Sequence, residues 1–137
     1  MEKDKTAALK KLTEYEKSTE IIVAPCYNEK AGEIFSFYLD DNHYKKYLWE
    51  EGIKLFYPFV KEEDAEVLYG FMRQVEEYCV DVCSCMSDMY DCPFVPHEET
   101  AEAIAKRIIN VCHKRFPWIK IEDIEGILNK CMWLSNR

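Results

Sequence analysis

Four cysteines and a histidine in one stretch of the sequence carry the side chains that transition metals bind: Cys79, Cys83, Cys85, Cys92 and His97. Zinc takes four tetrahedral sulfur or nitrogen ligands, typically with two thiolates from a C-x2-C turn. Here the spacings are C-x3-C, C-x-C, C-x6-C and C-x4-H. On a helix Cys79 and Cys83 share a face, whereas Cys85 points away from both. We therefore predict that Cys79 and Cys83 are small buried core residues and that no metal is bound. The alternative is a zinc site that uses Cys79, Cys83, Cys92 and His97.

No set of residues in the sequence is typical of a catalytic site. Cys112 and His113 are adjacent, and neighbouring helix residues project about 100° apart, so they cannot form a thiolate and imidazole pair with each other. The four glycines form neither a dinucleotide fingerprint nor a phosphate loop. The expectation is a protein that is not an enzyme and that has no cofactor.

The acidic residues are concentrated in one segment of the chain. Residues 61–99 contain eleven acidic and two basic side chains, a balance of −9, whereas the whole chain has a net charge of −8. Carboxylates along one side of a rigid helix can imitate the spaced charges of nucleic acid and occupy a basic groove on a partner. The alternative is a solvated face without a partner. The partner-binding residues that we predict are Glu77, Asp81, Asp88, Asp91, Glu98 and Glu99.

The charge of the whole chain narrows the classes of partner. A pI of about 4.9 argues against direct binding to nucleic acid or to anionic lipid. No run of about 18 apolar residues exists, and the amino terminus MEKDKTAALKK lacks the apolar centre of a signal peptide. We expect a cytoplasmic protein with reduced thiols and a protein partner that offers a basic surface. Self-association stays open, because exposed tryptophans and tyrosines would form an apolar patch.

We predict that a long helix over residues 62–92 contains most of the acidic segment. Its apolar residues recur at three- and four-residue spacings and cover roughly half of the circumference, which is more than a single partner helix would bury. They are Leu68, Phe71, Met72, Val75, Tyr78, Cys79, Val82, Cys83, Met86, Met89 and Tyr90. Pro93 and Pro96 end the helix. A kink is expected at Gly70 or within residues 80–87, which are poor helix formers.

The other periodic segments predict helices over residues 6–18, 42–52 and 98–115 and from residue 122 onwards. Asn42 is a suitable N-cap and Gly52 a suitable end for the second of these. Residues 21–24 and 34–39 are ambiguous, because their short apolar runs suit either helix or strand. The predicted fold is a mainly α, single-domain helical bundle of residues 1–137 around a long central helix. A small β-hairpin in residues 21–39 is the open alternative.

The carboxyl-terminal segment FPWIKIEDIEGILNKCMWLSNR resembles the endings of small uncharacterised proteins carried by phages and conjugative elements of Gram-positive bacteria. The shared features are an aromatic residue and proline before the helix and an I-E-D-I-E-x-I-L motif. Those proteins often have Glu and Tyr where this chain has Lys130, Cys131 and Trp133. The resemblance covers about a sixth of the chain and implies a mobile-element accessory protein, a class that includes acidic inhibitors of host defence nucleases. No functional residue follows from it.

Overall fold

The computed structural model describes residues 5–18, 20–40, 43–90 and 99–135. These residues form helices and connections and contain no β-strand, so the predicted mainly α fold is confirmed. In chain order the helices are α1 (Lys5–Lys17), a short 3-10 helix (Asn28–Lys30), α2 (Ala31–Leu39), α3 (Lys46–Phe56), α4 (Glu62–Met89), α5 (Glu99–Arg115) and α6 (Ile121–Ser135). None of the helices in these ranges combines the length and the apolarity needed to cross a membrane.

The β-hairpin that was the alternative for residues 21–39 is wrong. Residues 31–39 form α2, whose buried Ile34, Phe35 and Tyr38 follow helical spacing. The extended chain before it is held by the end of α5 instead of by a second strand. The Ile22 N–H donates to the Arg115 carbonyl at 2.8 Å, and the Trp118 indole N–H donates to the Ile22 carbonyl at 2.8 Å. These bonds satisfy the backbone of Ile22 without a sheet.

The predicted central helix is confirmed as α4, which packs against α1, α2, α3, α5 and α6. Every apolar residue of its predicted core face is buried except Phe71 and Tyr78, which are partly buried. The helix continues without a break through Gly70 and residues 80–87 and has 28 residues, a length of about 42 Å. Three carboxylates in its first turn, Glu62, Glu63 and Asp64, interact favourably with the positive end of the helix dipole.

The carboxyl-terminal helices α5 and α6 pack against α4 and against each other. Each presents one apolar face, as the spacing predicted, and the buried residues of these faces are Ala101, Ile104, Ile108, Val111, Cys112, Ile124, Ile127, Leu128 and Met132. Helix α1 also packs against α4 and is joined to α5 by a bidentate ion pair. The Arg107 guanidinium donates to both carboxylate oxygens of Glu16, with an Nε to Oε2 distance of 3.0 Å.

The predicted end of the second helix at Gly52 is wrong, because α3 continues to Phe56. Gly52 is inside the helix, where a Cβ atom would lie 2.3 Å from Cζ of Phe37. The glycine therefore allows the Phe37 ring to approach the α3 backbone closely. Helix α3 is fixed to α4 by the Trp49 indole, which donates to the Ala65 carbonyl at 2.9 Å. Asn42, the predicted N-cap, lies outside the described residues.

Of the tryptophans and tyrosines expected to form an exposed patch, tyrosines reach solvent, whereas Trp49 and Trp118 do not form part of it. Trp49 is only 1% exposed, and Trp118 is partly buried. The large apolar side chains that reach solvent on and beside α3 are Tyr44, Tyr47, Leu55, Phe56 and Phe59.

Two glycines provide a matched test of how α2 packs against the connection between α5 and α6. A Cβ atom at Gly32 would lie 2.4 Å from the Trp118 carbonyl oxygen, whereas a Cβ at Gly70 would meet nothing within 4 Å. We expect Gly32→Ala to lower the free energy of unfolding by about 1–3 kcal/mol, because the α5–α6 connection must move. Gly70→Ala should raise it by about 0.5–1 kcal/mol. Urea unfolding measures both; equal effects of the two substitutions would contradict the packing of α2 on this connection.

The ion pair between Glu16 and Arg107 predicts a pH-dependent contribution to stability. The hydrogen bond from Arg107 holds the pKa of Glu16 below its ordinary value of 4.5. The contribution is therefore complete above that value and is lost as the pH falls through the lower pKa of the folded state. Arg107→Gln should cost about 0.5–1 kcal/mol at pH 7, a small amount because both side chains are partly exposed. The free energies of unfolding of the wild type and of Arg107→Gln, measured with urea, should become equal at acid pH. A difference that is undiminished at acid pH would show that Arg107 acts through packing.

Candidate functional site

Three of the predicted partner-binding carboxylates lie on one line along α4. Glu77, Asp81 and Asp88 are all exposed, and their spacings of four and seven residues place them within about 40° of one another around the helix. By the helical rise they are about 6 Å and 10.5 Å apart along the axis. We call these three residues the acidic stripe. Asp91 and Glu98 lie outside the described residues, and Glu99 begins α5 without a described side chain.

Among the described residues, the acidic stripe makes one ion pair within 4 Å. Arg73 Nε lies 3.5 Å from Oε1 of Glu77, and both side chains are more than 60% exposed, so the attraction is screened by water. At Asp81 the backbone carbonyl, and not the carboxylate, accepts the hydroxyl of Ser84 at 2.6 Å. Asp88 lies in the last turn of α4, which contains no basic residue. A negative charge there opposes the helix dipole and lowers helix stability.

An acidic cleft adjoins the stripe where α2, α4 and the start of α6 meet. It has a volume of about 460 Å³. Its charged lining comprises four carboxylates and one ammonium group: Asp40, Glu76, Glu122, Asp123 and Lys130. Its apolar walls include Leu39, Val80 and Ile127. The cleft therefore combines negative charge with apolar surface.

Two hydrogen bonds fix carboxylates at the walls of the cleft. The Tyr38 hydroxyl donates to Oε1 of Glu76 at 3.1 Å, and the Ser36 hydroxyl donates to Oδ2 of Asp123 at 2.5 Å. Both donors belong to α2. The sequence places Glu122 and Asp123 in the first turn of the last helix, but it gives no sign that this turn faces α2 and α4.

Four cysteines lie on the faces of α4, α5 and α6 that pack together: Cys79, Cys83, Cys112 and Cys131. Cys79, Cys83 and Cys112 are completely buried, whereas Cys131 is partly exposed and lines the acidic cleft. All four are free thiols. The prediction that Cys79 and Cys83 are buried core residues is confirmed.

The four thiols differ in pKa because of their burial and their neighbours. Interaction with Cys112 raises the pKa of Cys79 and of Cys83, and burial raises both further. The same interactions lower the pKa of Cys112 to about 5, against the effect of burial. Interaction with Cys83 lowers the pKa of Cys131, and Lys130 lowers it too, against the effects of burial, Cys112 and Glu76. Cys131 also reaches solvent. It is therefore the one of these four cysteines that combines a lowered pKa with a side chain in contact with water.

The sequence indicated two members of this cluster and missed the other two. Cys112 and Cys131 occupy apolar positions of α5 and α6, as Cys79 and Cys83 do in α4. The available signal was therefore the presence of cysteines on the core faces of three separate helices. Local spacing, which suits metal sites in turns, does not detect a cluster built from side chains so far apart in the chain.

The zinc alternative stays a prediction. Cys92 and His97, two of its four ligands, lie outside the described residues. Within the described part of the chain, no three histidine, cysteine, aspartate or glutamate side chains are placed to hold one metal ion.

Comparisons of this chain with protein-family models, with curated proteins and with solved structures find no match. The resemblance of the carboxyl-terminal segment to proteins of mobile elements therefore stays a prediction. The structure shows that its I-E-D-I-E motif begins α6, with Glu122 and Asp123 in the first turn. Acidic residues are favourable at that position in any helix.

The position of Asp88 predicts that its charge reduces stability. Asp88→Asn should raise the free energy of unfolding by about 0.3–1 kcal/mol, because it removes a negative charge from the carboxyl end of α4. Asp81→Asn, in the interior of the same exposed face, is the matched control and should change it by less than about 0.5 kcal/mol. Urea unfolding at low ionic strength measures both. A loss of stability in Asp88→Asn would show that the carboxylate makes stabilising contacts in the fold.

Proposed function

We propose that this chain is a non-enzymatic protein–protein interaction module that binds a basic surface of its partner through the acidic stripe and the adjoining cleft. The observation that carries the proposal is the alignment of Glu77, Asp81 and Asp88 on the exposed side of a helix whose other side is the core. Because the core holds α4 in place, the carboxylates need little further ordering when a partner binds. A lower ordering cost favours association.

The cost of Asp88 to helix stability supports a role beyond solubility. A solvated charge that serves only solubility would be at least as useful elsewhere on the surface. Asp88 instead lies where the helix dipole disfavours it. Residues that reduce stability are typical of binding and catalytic sites, because function needs them where the fold does not.

The composition of the cleft favours a lysine or arginine side chain as its occupant. The aliphatic part of such a side chain would pack against Leu39, Val80 and Ile127. Its charged end would reach the carboxylates of Glu76 and Asp123, which Tyr38 and Ser36 hold in position. Arginine suits this arrangement well, because its planar fork pairs with carboxylates in a defined geometry. A partner with basic side chains beside a basic groove would engage the stripe and the cleft together.

The finer proposal is that the partner is a nucleic-acid-binding protein and that this chain is an acidic inhibitor or regulator that imitates nucleic acid. The spaced charges of the stripe support mimicry, because a basic groove binds polyanions through electrostatic attraction. The resemblance of the carboxyl-terminal segment supports a mobile element, such as a phage, as the source. A cytoplasmic location agrees with a partner of this class.

Partner capture with charge-reversed variants tests the proposal. The immobilised wild-type chain should retain a basic protein from a cell extract at low salt and release it at about 1 M salt, where screening is strong. The triple variant Glu77→Lys, Asp81→Lys and Asp88→Lys should retain none of it, with an unchanged circular dichroism spectrum. Addition of double-stranded DNA should displace the protein from the wild-type chain if the two compete for one groove.

A second triple variant controls for net charge. Glu29→Lys, Glu50→Lys and Glu51→Lys reverses three exposed carboxylates outside α4 and changes the net charge by the same amount. This variant should retain the partner. Equal loss in both variants would show that net charge alone drives capture, and retention by the stripe variant would exclude the stripe as the contact.

Native mass spectrometry of protein purified without chelator tests the zinc alternative. About 65 Da of additional mass per chain, lost on acidification, would establish a bound zinc ion. A bare chain mass of 16.3 kDa, or a multiple of it, would exclude stable zinc binding and would also report self-association.

A further inference from the structure

One side of α3 points away from the bundle and carries large apolar side chains. The buried residues of this helix are Trp49, Gly52 and Ile53. Tyr47 and Leu55 lie two turns apart on the opposite side, and each is more than half exposed. The packing of α3 on α4 therefore leaves these two side chains in solvent.

Two phenylalanines extend this apolar surface at the end of α3. Phe56 and Phe59 are also more than half exposed. Their rings lie 6.0 Å from the ring of Phe37 and 6.1 Å from the ring of Tyr57, which hold them beside the helix. Since a large side chain offers about 150–250 Å² of surface, the exposed parts of the four together amount to roughly 500 Å². An apolar patch of this size on a monomer often marks an interaction site.

Two exposed side chains of opposite charge lie among these apolar residues. Glu51 and Lys54 are on the same side of α3 as Tyr47 and Leu55, and among the described residues neither forms an ion pair. The surface that we call the α3 face comprises Tyr47, Glu51, Lys54, Leu55, Phe56 and Phe59. Its charged side chains are therefore available to a partner.

The α3 face lies in a part of the chain that differs in charge from the acidic segment. Residues 44–61 contain four lysines and two glutamates, a balance of +2, whereas the whole chain has a net charge of −8. Two copies of an acidic protein repel each other least where the local charge is not negative. The acidic stripe carries only carboxylates and cannot pair with itself, whereas the α3 face offers one carboxylate and one ammonium group.

We propose that the α3 face is the interface of a homodimer, in which the α3 helices of two copies pack antiparallel about a two-fold axis. Such an axis makes every contact reciprocal. With the axis beside residues 52 and 53, Glu51 lies level with Lys54 of the partner subunit, and Tyr47 lies close to the level of Phe59 of the partner subunit. Leu55 lies within one turn of the axis. The inference does not depend on the proposed basic partner, which binds α4.

A second copy suits the size and the composition of the α3 face. A standard interface buries about 800 Å² on each partner. The apolar patch supplies most of that area as a central contact, and the charged side chains supply the polar surroundings that interfaces have. Both charges of each copy are satisfied at once in the antiparallel arrangement. The acidic stripe lies on a different helix, so monomeric variants of the α3 face should still retain the basic partner.

Sedimentation velocity of the full chain over a dilution series measures the association. The wild type should have about twice the chain mass of 16.3 kDa at high concentration and should dissociate on dilution. Dissociation should not depend on chelator, because the contact uses no metal.

Reversal of single charges tests the reciprocal ion pairs. Glu51→Lys and Lys54→Glu should each be monomeric at the concentration at which the wild type is half dimeric, because like charges then face each other twice. An equimolar mixture of the two variants should form a heterodimer, because both ion pairs are restored with opposite polarity. Glu29→Lys and Lys10→Glu change the net charge equally at exposed positions outside the α3 face. These two controls should dimerise as the wild type does.

Removal of an apolar side chain tests the centre of the interface. Leu55→Ser should raise the dissociation constant of the dimer about 100-fold, because each dimer loses two buried leucine side chains. Its circular dichroism spectrum should not change, because Leu55 is exposed in the monomer. Ile21→Ser removes another exposed aliphatic side chain, outside the α3 face, and should leave the dissociation constant unchanged.

Three results would overturn the proposal. The first is a wild-type chain that remains monomeric at about 0.5 mM, which would leave the α3 face to a different protein. The second is a dimer that Leu55→Ser and Ile21→Ser weaken equally or not at all, because another surface would then form it. The third is a mixture of Glu51→Lys and Lys54→Glu that stays monomeric, because the antiparallel pairing requires a heterodimer.

Discussion

Helix α4 has to bury one side against five other helices while its opposite side remains charged. Leu68, Met72, Val82 and Met86 are completely buried on the first side, and the acidic stripe occupies the second. Because a helix fixes the angle between successive side chains, the two sides cannot be adjusted separately. The position of every carboxylate of the stripe therefore follows from the packing of the core. The packing of the core therefore fixes the backbone that carries the exposed row of carboxylates.

The small side chains of the core connect this packing to the chemistry of the thiols. Cysteine is readily buried and fills less space than leucine or isoleucine, so Cys79, Cys83 and Cys112 suit positions where α4 and α5 approach each other. Cys83 on α4 and Cys112 on α5 thereby shift each other's pKa. Cys131 continues the series to the wall of the cleft. The packing that stabilises the bundle thus also decides which of these four thiols are buried and which one reaches solvent.

The sequence predicted the helices in which a long run of apolar residues lies on one face. It failed where contacts between distant segments determine the local structure. The apolar spacing of residues 68–90 located α4 and its core face, because helical periodicity over that length is unambiguous. Residues 34–39 were ambiguous because their apolar run is short, and burial of Tyr38 among other aromatic rings favours helix there. Gly52 was taken as a helix end because its role, the close approach of Phe37, depends on tertiary packing. The alignment of Glu77, Asp81 and Asp88 was predictable, whereas the cleft and the contacts of Cys112 and Cys131 depend on which helices are neighbours.

Amide hydrogen exchange of the native chain tests most directly whether α4 is the element on which the structure depends. The amides of residues 68–86 should exchange most slowly, at the rate set by global unfolding, because α4 contacts every other α-helix. The amides of α3 should exchange faster, since this helix exposes Tyr47, Leu55 and Phe56 and buries only Trp49, Gly52 and Ile53. Slow exchange in α3 or α5, with faster exchange in the middle of α4, would contradict the account.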